Sequence, residues 1–572
     1  MVLHPDLPEQ HDAADGGRPP APADIEAWLT QLPAGGEGSR ALLDRLQRLN
    51  RQLLPPADRS ALLDTLAPAV RARLDLDQHR IRGQRFPLPA RSRQQFEFDQ
   101  TLREEAALGA LSVASDTLSA GGDAADIARA VVAALQYSGE YLLRSVQLYT
   151  PAPEGFWHNV HAAYALAERA GVADQAADGG APVDQYKRIL LFAVGHVHDL
   201  LRNDAERIYE LLALWALQAE LGTDRAGAGG SAFGVDLARP EPPRRLQLMP
   251  TRAAATLRVL DVTGAVAAAV RLQRVRGPAG RAGTVSRLGL ERLLANWRQE
   301  NLRRSNRRQR DQRVDAEVTL GMIRDRIEGR SDEAAPDDSG LPVWKQAEEM
   351  RDPYAGYVSH PWRKGQGVGR RDDAWSRSVE RKSDAYFRGR SAVEASGLDP
   401  AVRNPHRAWR LLDIGPNGFG LEWIGRGSSN ATVGELVALA WRQDGVVRWR
   451  VAAIRWLRFT GPTRFFLGAQ TLAPDVRAGG ITRPTPDGLH DSEEPALLVG
   501  PDPADQEATA GRQIFLPAYL FAAGDELELR SDDREFRVEL GEQREETDSF
   551  ALFDLAVLPA SKADDIPEWE IL

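Results

Sequence analysis

The chain has 572 residues, a net charge of -10 and no cysteine. That length predicts two or more domains. The absence of cysteine excludes disulfides, thiolate catalysis and thiolate metal ligands, and the acidic balance argues against general coating of nucleic acid. Apolar residues make up 42% and charged residues 27%, as in an ordinary soluble globular protein. No uncharged apolar run approaches ~20 residues, and the start, Met1 to Asp6, lacks the basic and apolar regions of a signal peptide. A cytoplasmic location is expected.

Residues 1–22 are rich in Pro, Gly, Asp and His and read as disordered. Residues 23–222 read as a helical bundle. Asp24 caps a short helix with Ile25, Trp28 and Leu29. Leu42, Leu43, Leu46, Leu49 and Leu53 mark a second, and Leu62, Leu63, Leu66, Val70 and Leu74 a third after Pro55 and Pro56. Ile127, Val131, Val132 and Leu135 share a face that continues to Tyr149, and Pro151 and Pro153 break it. Val160, His161 and Tyr164 follow on a helix closed by Gly171. Asp184 caps the next, with Ile189, Leu190 and Val194, and Ile208, Leu212 and Trp215 mark another. His196 and His198 lie two apart, pointing ~200° apart on a helix, so no joint metal chelation is expected. Residues 223–297 read as a connector with a short strand over 257–261, a helix over 266–272 and a helix capped by Ser286.

The texture then changes. A basic run, Arg298, Arg303, Arg304, Arg307, Arg308, Arg310 and Arg313, leads into Val314 to Leu320, which alternates at period two as a strand does. Residues 331–406 are poor in aliphatics and read as a mostly disordered insertion; Tyr354, Trp362 and Trp375 among its arginines could serve as a partner-docking segment. From Arg410 to Gln470 short alternating runs are separated by Gly, Asn and Pro, the pattern of a small antiparallel barrel. The tightest turn is Asp413-Ile-Gly415-Pro-Asn-Gly418, where glycine and asparagine permit positive φ. Residues 474–511 read as an acidic, Pro- and Gly-rich loop region, and 501–572 as a C-terminal β extension with runs around Ile514, Leu527, Val538 and Phe550.

At these residues the chain resembles the PilZ domain family, small β-barrels of bacterial cyclic di-GMP receptors. The resemblance rests on the turn Asp413 to Gly418, on Ile454-Arg455-Trp456 in a later strand, and on Arg-x-x-x-Arg spacings just before the first strand, Arg303 to Arg307 and Arg304 to Arg308. The family has Ser where this chain has Gly415, which removes one hydroxyl from the turn. Pairs at the same spacing, Arg377 with Arg381 and Arg403 with Arg407, also occur.

The resemblance implies an α+β multidomain fold: a helical bundle, then a PilZ-like antiparallel β-barrel over 298–500 with a long insertion. It implies ligand contacts from Arg303, Arg304, Arg307, Arg308, Asp413, Gly415 and Gly418. Guanidinium groups pair with phosphate in bidentate fashion and stack on bases. A carboxylate such as Asp413 can accept from guanine N1–H and N2–H. No Gly-x-Ser-x-Gly, P-loop or dinucleotide fingerprint is present, so the chain reads as a receptor or adaptor with no cofactor, and not as an enzyme. An unnamed protein partner is expected. The rival readings are a helical scaffold with a non-binding barrel, and arginine-mediated nucleic-acid binding.

Overall fold

A computed structural model describes residues 3–12, 20–81, 86–196, 200–224, 231–249, 255–275, 285–298, 308–329, 408–425, 428–443, 446–459, 464–484, 492–505, 511–532 and 534–559. The insertion predicted over 331–406 lies outside the described residues.

The helical unit comprises α1 (Pro22–Thr30), α2 (Gly36–Arg51), α3 (Pro56–Ile81), α4 (Ala90–Ser119), α5 (Ala124–Gln147), α6 (Phe156–Arg169), α7 (Pro182–Val194) and α8 (Arg202–Trp215). The leucine stripes of α2 and α3 are buried together with Ile25, Phe98 and Leu102. A second core joins α5 to α8 through Val131, Leu135, Val160, Tyr186 and Ile208. Asp123 caps α5, its carboxylate accepting from Ala125 N–H at 3.1 Å. Asp24 and Asp184 are not the N-caps expected of them. Ala21 and Ala181 hold those positions, and the two carboxylates sit in the first turn, where the helix dipole favours them.

The longest helix, α4, carries no apolar stripe that predicts it. Its middle buries Asp99, Gln100, Arg103, Glu104 and Glu105. Buried polar groups need partners, and several are at hand: Arg73 with Asp99 at 3.2 Å, Arg51 with Glu105 at 3.1 Å, and Gln100 donating to Tyr141 O at 3.0 Å. Residues 3–12 also depart from the predicted disorder. They form no helix but strap the unit through main-chain bonds, Leu3 N–H to Leu237 O at 3.1 Å and His11 N–H to Arg51 O at 2.8 Å.

The connector is part of this unit. The strands β1 (Glu220–Gly222), β2 (Ala232–Asp236), β3 (Arg244–Arg245) and β4 (Leu257–Asp261) form a sheet in the order β1-β4-β2-β3, followed by α9 (Thr263–Val275) and α10 (Arg287–Trp297). Phe233, Leu260, Ala269, Leu293 and Trp297 join the core of α5 to α8. Ser286 caps α10 as expected: its hydroxyl accepts from Gly289 N–H at 2.9 Å and donates to Asp204 of α8 at 2.5 Å. Ser286→Ala should therefore cost about 1–2 kcal/mol, a lost cap together with a lost donor to a buried carboxylate. A urea unfolding midpoint equal to that of the parent would refute this.

The barrel starts earlier than the alternation predicts. The arginine-rich segment is itself a strand, β5 (Arg308–Val314), followed by β6 (Ala316–Val318) and α11 (Leu320–Ile327). Leu320, expected to end the strand, opens the helix. After the insertion come β7 (Trp409–Gly415), β8 (Gly418–Trp423), β9 (Leu436–Gln443), β10 (Val446–Phe459) and β11 (Phe465–Ala473). The sheet order is β5-β7-β8-β11-β10-β9-β6. Only Asp315 separates the two edge strands, and its carbonyl accepts from Ala440 N–H at 2.9 Å. Residues 308–318 thus act as one bent strand that pairs β7 at one end and β9 at the other, closing the sheet. Trp409, Leu411, Phe419, Leu421, Trp423, Leu439, Ile454 and Phe465 fill the interior. Phe86 and Tyr149 of the helical unit plug one end, with Phe86 5.3 Å from the Tyr149 ring and 5.4 Å from that of Phe459.

Residues 474–511, expected as loop, contain β12 (Arg477–Thr482) and β13 (Glu494–Val499). These join β14 (Gln513–Pro517), β15 (Glu526–Ser531), β16 (Arg534–Glu546) and β17 (Phe550–Val557) in a second, closed barrel, β12-β13-β14-β17-β16-β15. The expected boundary at residue 500 therefore falls inside this barrel, after two of its strands. Between the barrels lies α11, whose Leu320 and Ile323 pack with Leu436 and Val451 of the first and Leu497 and Phe515 of the second.

Candidate functional site

The predicted turn is a tight hairpin. Gly415 pairs with Gly418 across β7 and β8, leaving Pro416-Asn417 at the tip. Gly418 has no room for a side chain, since a Cβ there would collide with Ala469 O of β11. Gly415 is not among the residues with positive φ, so glycine is not imposed there by backbone conformation. Asp413 pairs with Gly420, and its carboxylate lies over that glycine, 3.2 Å from where a Cβ would stand. The side chain is thereby held on the outer face of the barrel, since Phe419 and Leu421 on either side of Gly420 point into the core.

The register of β5 against β7 brings the arginine segment to this hairpin. Arg308 pairs with Ile414 and Gln309 with Asp413. Arg308 is exposed at the start of β5. Arg303, Arg304 and Arg307 lie outside the described residues, between α10 and β5. The chain enters that interval from Trp297, which is 0% exposed in the helical core and donates to Leu191 O at 3.2 Å.

Comparison with known proteins bears on this arrangement. Residues 23–226 match the family model "Cyclic-di-GMP receptor FimW, N-terminal domain", and residues 233–477 match "Cyclic-di-GMP receptor FimW, middle PilZ domain". The segment that holds the seven-stranded sheet is therefore similar to a PilZ domain. It is also 25% identical over 570 residues to the cyclic-di-GMP receptor FimW of Pseudomonas aeruginosa, across 93% of this chain and 90% of that protein. No solved structure matches the chain.

The PilZ match ends at 477, where the first barrel gives way to the second. The match begins at 233, so it also takes in the small sheet and α9 and α10, beyond the seven-stranded sheet itself. The later PilZ signature, Ile454-Arg455-Trp456, lies within β10 and does not end it. Arg455 there joins the barrels, with two hydrogen bonds to Glu545 of β16 at 2.7 and 3.0 Å. On the outer face of the PilZ barrel, Arg410 and Arg464 flank the buried Glu422.

One feature at the barrel's end escapes sequence reasoning. The ends of β5, β7, β9 and β10 line a half-open cavity of about 590 Å³ at the mouth opposite Phe86 and Tyr149. Its walls include Leu411, Leu439, Arg310 and Arg313, together with Trp441 and Arg450. The two arginines of β5 belong to the basic run noted above, but neither was among the site residues expected from the Arg-x-x-x-Arg spacing. Trp441 and Arg450 are distant from both signatures, and only the β9–β10 register brings them beside β5.

His196 is half-buried by accessible surface, and desolvation lowers its pKa to about 4; His198 lies outside the described residues. Among the described residues there is no group of three His, Cys, Asp or Glu suited to a metal, and no helix long and apolar enough to cross a membrane.

Proposed function

We propose that the chain is a cytoplasmic, non-catalytic cyclic di-GMP receptor in which Asp413 and the arginines around Arg308 take the ligand. The observation that carries this reading is the β5–β7 register, which sets the start of the arginine strand beside the Asp413 hairpin in the segment similar to a PilZ domain. Arg303, Arg304, Arg307 and Arg308 supply forked donors for the two phosphates, and Asp413 accepts from a guanine edge. Gly415 lets the ligand approach the backbone, while Gly418 holds the hairpin close against β11.

The arm also explains how binding becomes a signal. It runs from Trp297, rooted in the helical unit, to β5, which continues through β6 into α11 between the two barrels. A ligand drawing the arm against the hairpin bears on all three units. The helical unit and the second barrel then present the altered surface to a protein partner.

Calorimetric titration of the full chain with cyclic di-GMP tests the reading, with saturable heat as the expected result. A silent titration at high micromolar ligand would leave the PilZ barrel as a protein-interaction module. Restoring the family's hydroxyl is a finer test. Because Gly415 does not have a left-handed backbone, Gly415→Ser should tighten binding by about two- to tenfold, one neutral hydrogen bond. Weaker binding without loss of melting temperature would show that Gly415 is needed as glycine.

A further inference from the structure

We propose that the cavity at the barrel mouth is a purine subsite, with Trp441 and Arg450 as its stacking floor and Arg310 and Arg313 as its phosphate-facing rim. The proposal rests on the receptor reading above and extends it, since the cavity opens beside the same β5 arm.

Strand register supplies the first argument. Along β9, Val437 and Leu439 point into the core, so Trp441 continues the inward face; along β10, Ala452 and Ile454 point inward, so Arg450 does too. The alternate residues Trp449, Val451 and Ala453 face outward against α11. Trp441 and Arg450 therefore extend the barrel interior past its apolar filling, into the mouth.

The chemistry of the pair supplies the second. The Arg450 guanidinium lies 4.6 Å from the centre of the Trp441 ring. Arg450 Nε and Trp441 Nε1 are both screened from solvent, and among the described residues neither donates a hydrogen bond. Buried donors are ordinarily satisfied. Here a flat cation and a flat indole are stacked in a half-open cavity whose volume of about 590 Å³ falls in the range of ligand pockets. Planar bases stack on indole and guanidinium faces. Arg310 and Arg313 on the same rim suit the phosphate attached to such a base. Leu411 and Leu439 give the base an apolar wall.

The test uses the full chain and three probes: guanosine 5′-monophosphate, inorganic phosphate and cyclic di-GMP. Trp441→Leu and Arg450→Met remove the stack while keeping apolar volume. The mononucleotide should bind the parent, and each substitution should weaken it about tenfold or more. Inorganic phosphate should bind far more weakly than the mononucleotide. Equal affinities of parent and variants, phosphate binding as well as the mononucleotide, or no mononucleotide binding at millimolar concentration would each overturn the subsite. Amide exchange on the unmodified chain serves where a variant folds poorly: the mononucleotide should protect residues 437–441 and 447–452, and protection only elsewhere would sink the proposal. The two readings separate cleanly. Mononucleotide binding without cyclic di-GMP binding removes the receptor and keeps the subsite; cyclic di-GMP binding indifferent to both substitutions does the reverse.

Discussion

Arg308→Ala and Asp413→Ala should each weaken cyclic di-GMP binding about ten- to a hundredfold in titrations at fixed salt. A hydrogen bond to a charged group is worth about 1.5–3 kcal/mol, and every 1.4 kcal/mol is tenfold in affinity. The two losses should differ in kind. Arg308 is exposed at the start of β5, so its phosphate pairing should fade as salt rises. Asp413 lies against Gly420 on the barrel wall, and its loss should erode the preference for guanine over adenine more than phosphate affinity. Melting curves belong beside the Asp413→Ala titration, because that side chain also lies across the β7–β8 hairpin. Binding by both variants at parental strength would remove these residues from the site.

The second large effect is a loss of stability on mild acidification, centred on His161. Its ring is 0% exposed, between Tyr186 and Glu241. A carbonyl can only accept, so Nε2 carries the proton and donates to Glu241 O at 2.8 Å, and Nδ1 accepts from the Tyr186 hydroxyl at 2.8 Å. The neutral ring is fully partnered, and a second proton would meet a hydroxyl already donating. Burial accordingly lowers the pKa from 6.5 to about 4. The unfolded chain then binds more protons than the folded one, so stability present above pH 6.5 is lost as pH falls towards 4. The full shift corresponds to about 3 kcal/mol. Asp204, Glu317 and Glu435, whose pKa values burial raises, work in the opposite sense, gaining stability as pH falls. The histidine is isolated by comparing the parent with His161→Gln in urea at several pH values. The variant should be less stable at pH 7 but should lose less between pH 6.5 and 4. Parallel pH profiles would exclude His161 as the source.

The parts of the fold legible in the sequence are those that bury apolar side chains on one face. The stripes of α2, α3 and α5 and the alternation of β7 to β11 are of this kind. The helix α4 was not legible because it is enclosed on several sides and satisfies charged residues with partners such as Arg73, Arg51 and Tyr141, which no local pattern announces. The strand β5 was hidden because its side chains are exposed or half-buried and mostly charged. What makes it a strand is β7, about a hundred residues further on. Residues 3–12 read as disordered because their order comes from main-chain bonds to distant loops. At the site, the Asp413 hairpin was visible as a motif, and the arginines as a charge run whose register only the β5–β7 pairing fixes. Trp441 and Arg450 carry no motif at all; their meaning depends on an inward alternation counted from Leu439.

The bent strand over 308–318 also bears on how the protein folds. During synthesis it is made before the residues of β7 and β9 to which it must pair, with the whole interval 319–408 in between. Closing the PilZ barrel is therefore a long-range step, slow relative to the local helices that precede it. Until it occurs, β7 and β9 present unpaired edges, the kind of surface that recruits strands from other chains. The charged side chains of β5 then have a second value: a waiting strand that repels its own copies is poorly suited to aggregate while its partners are still being made.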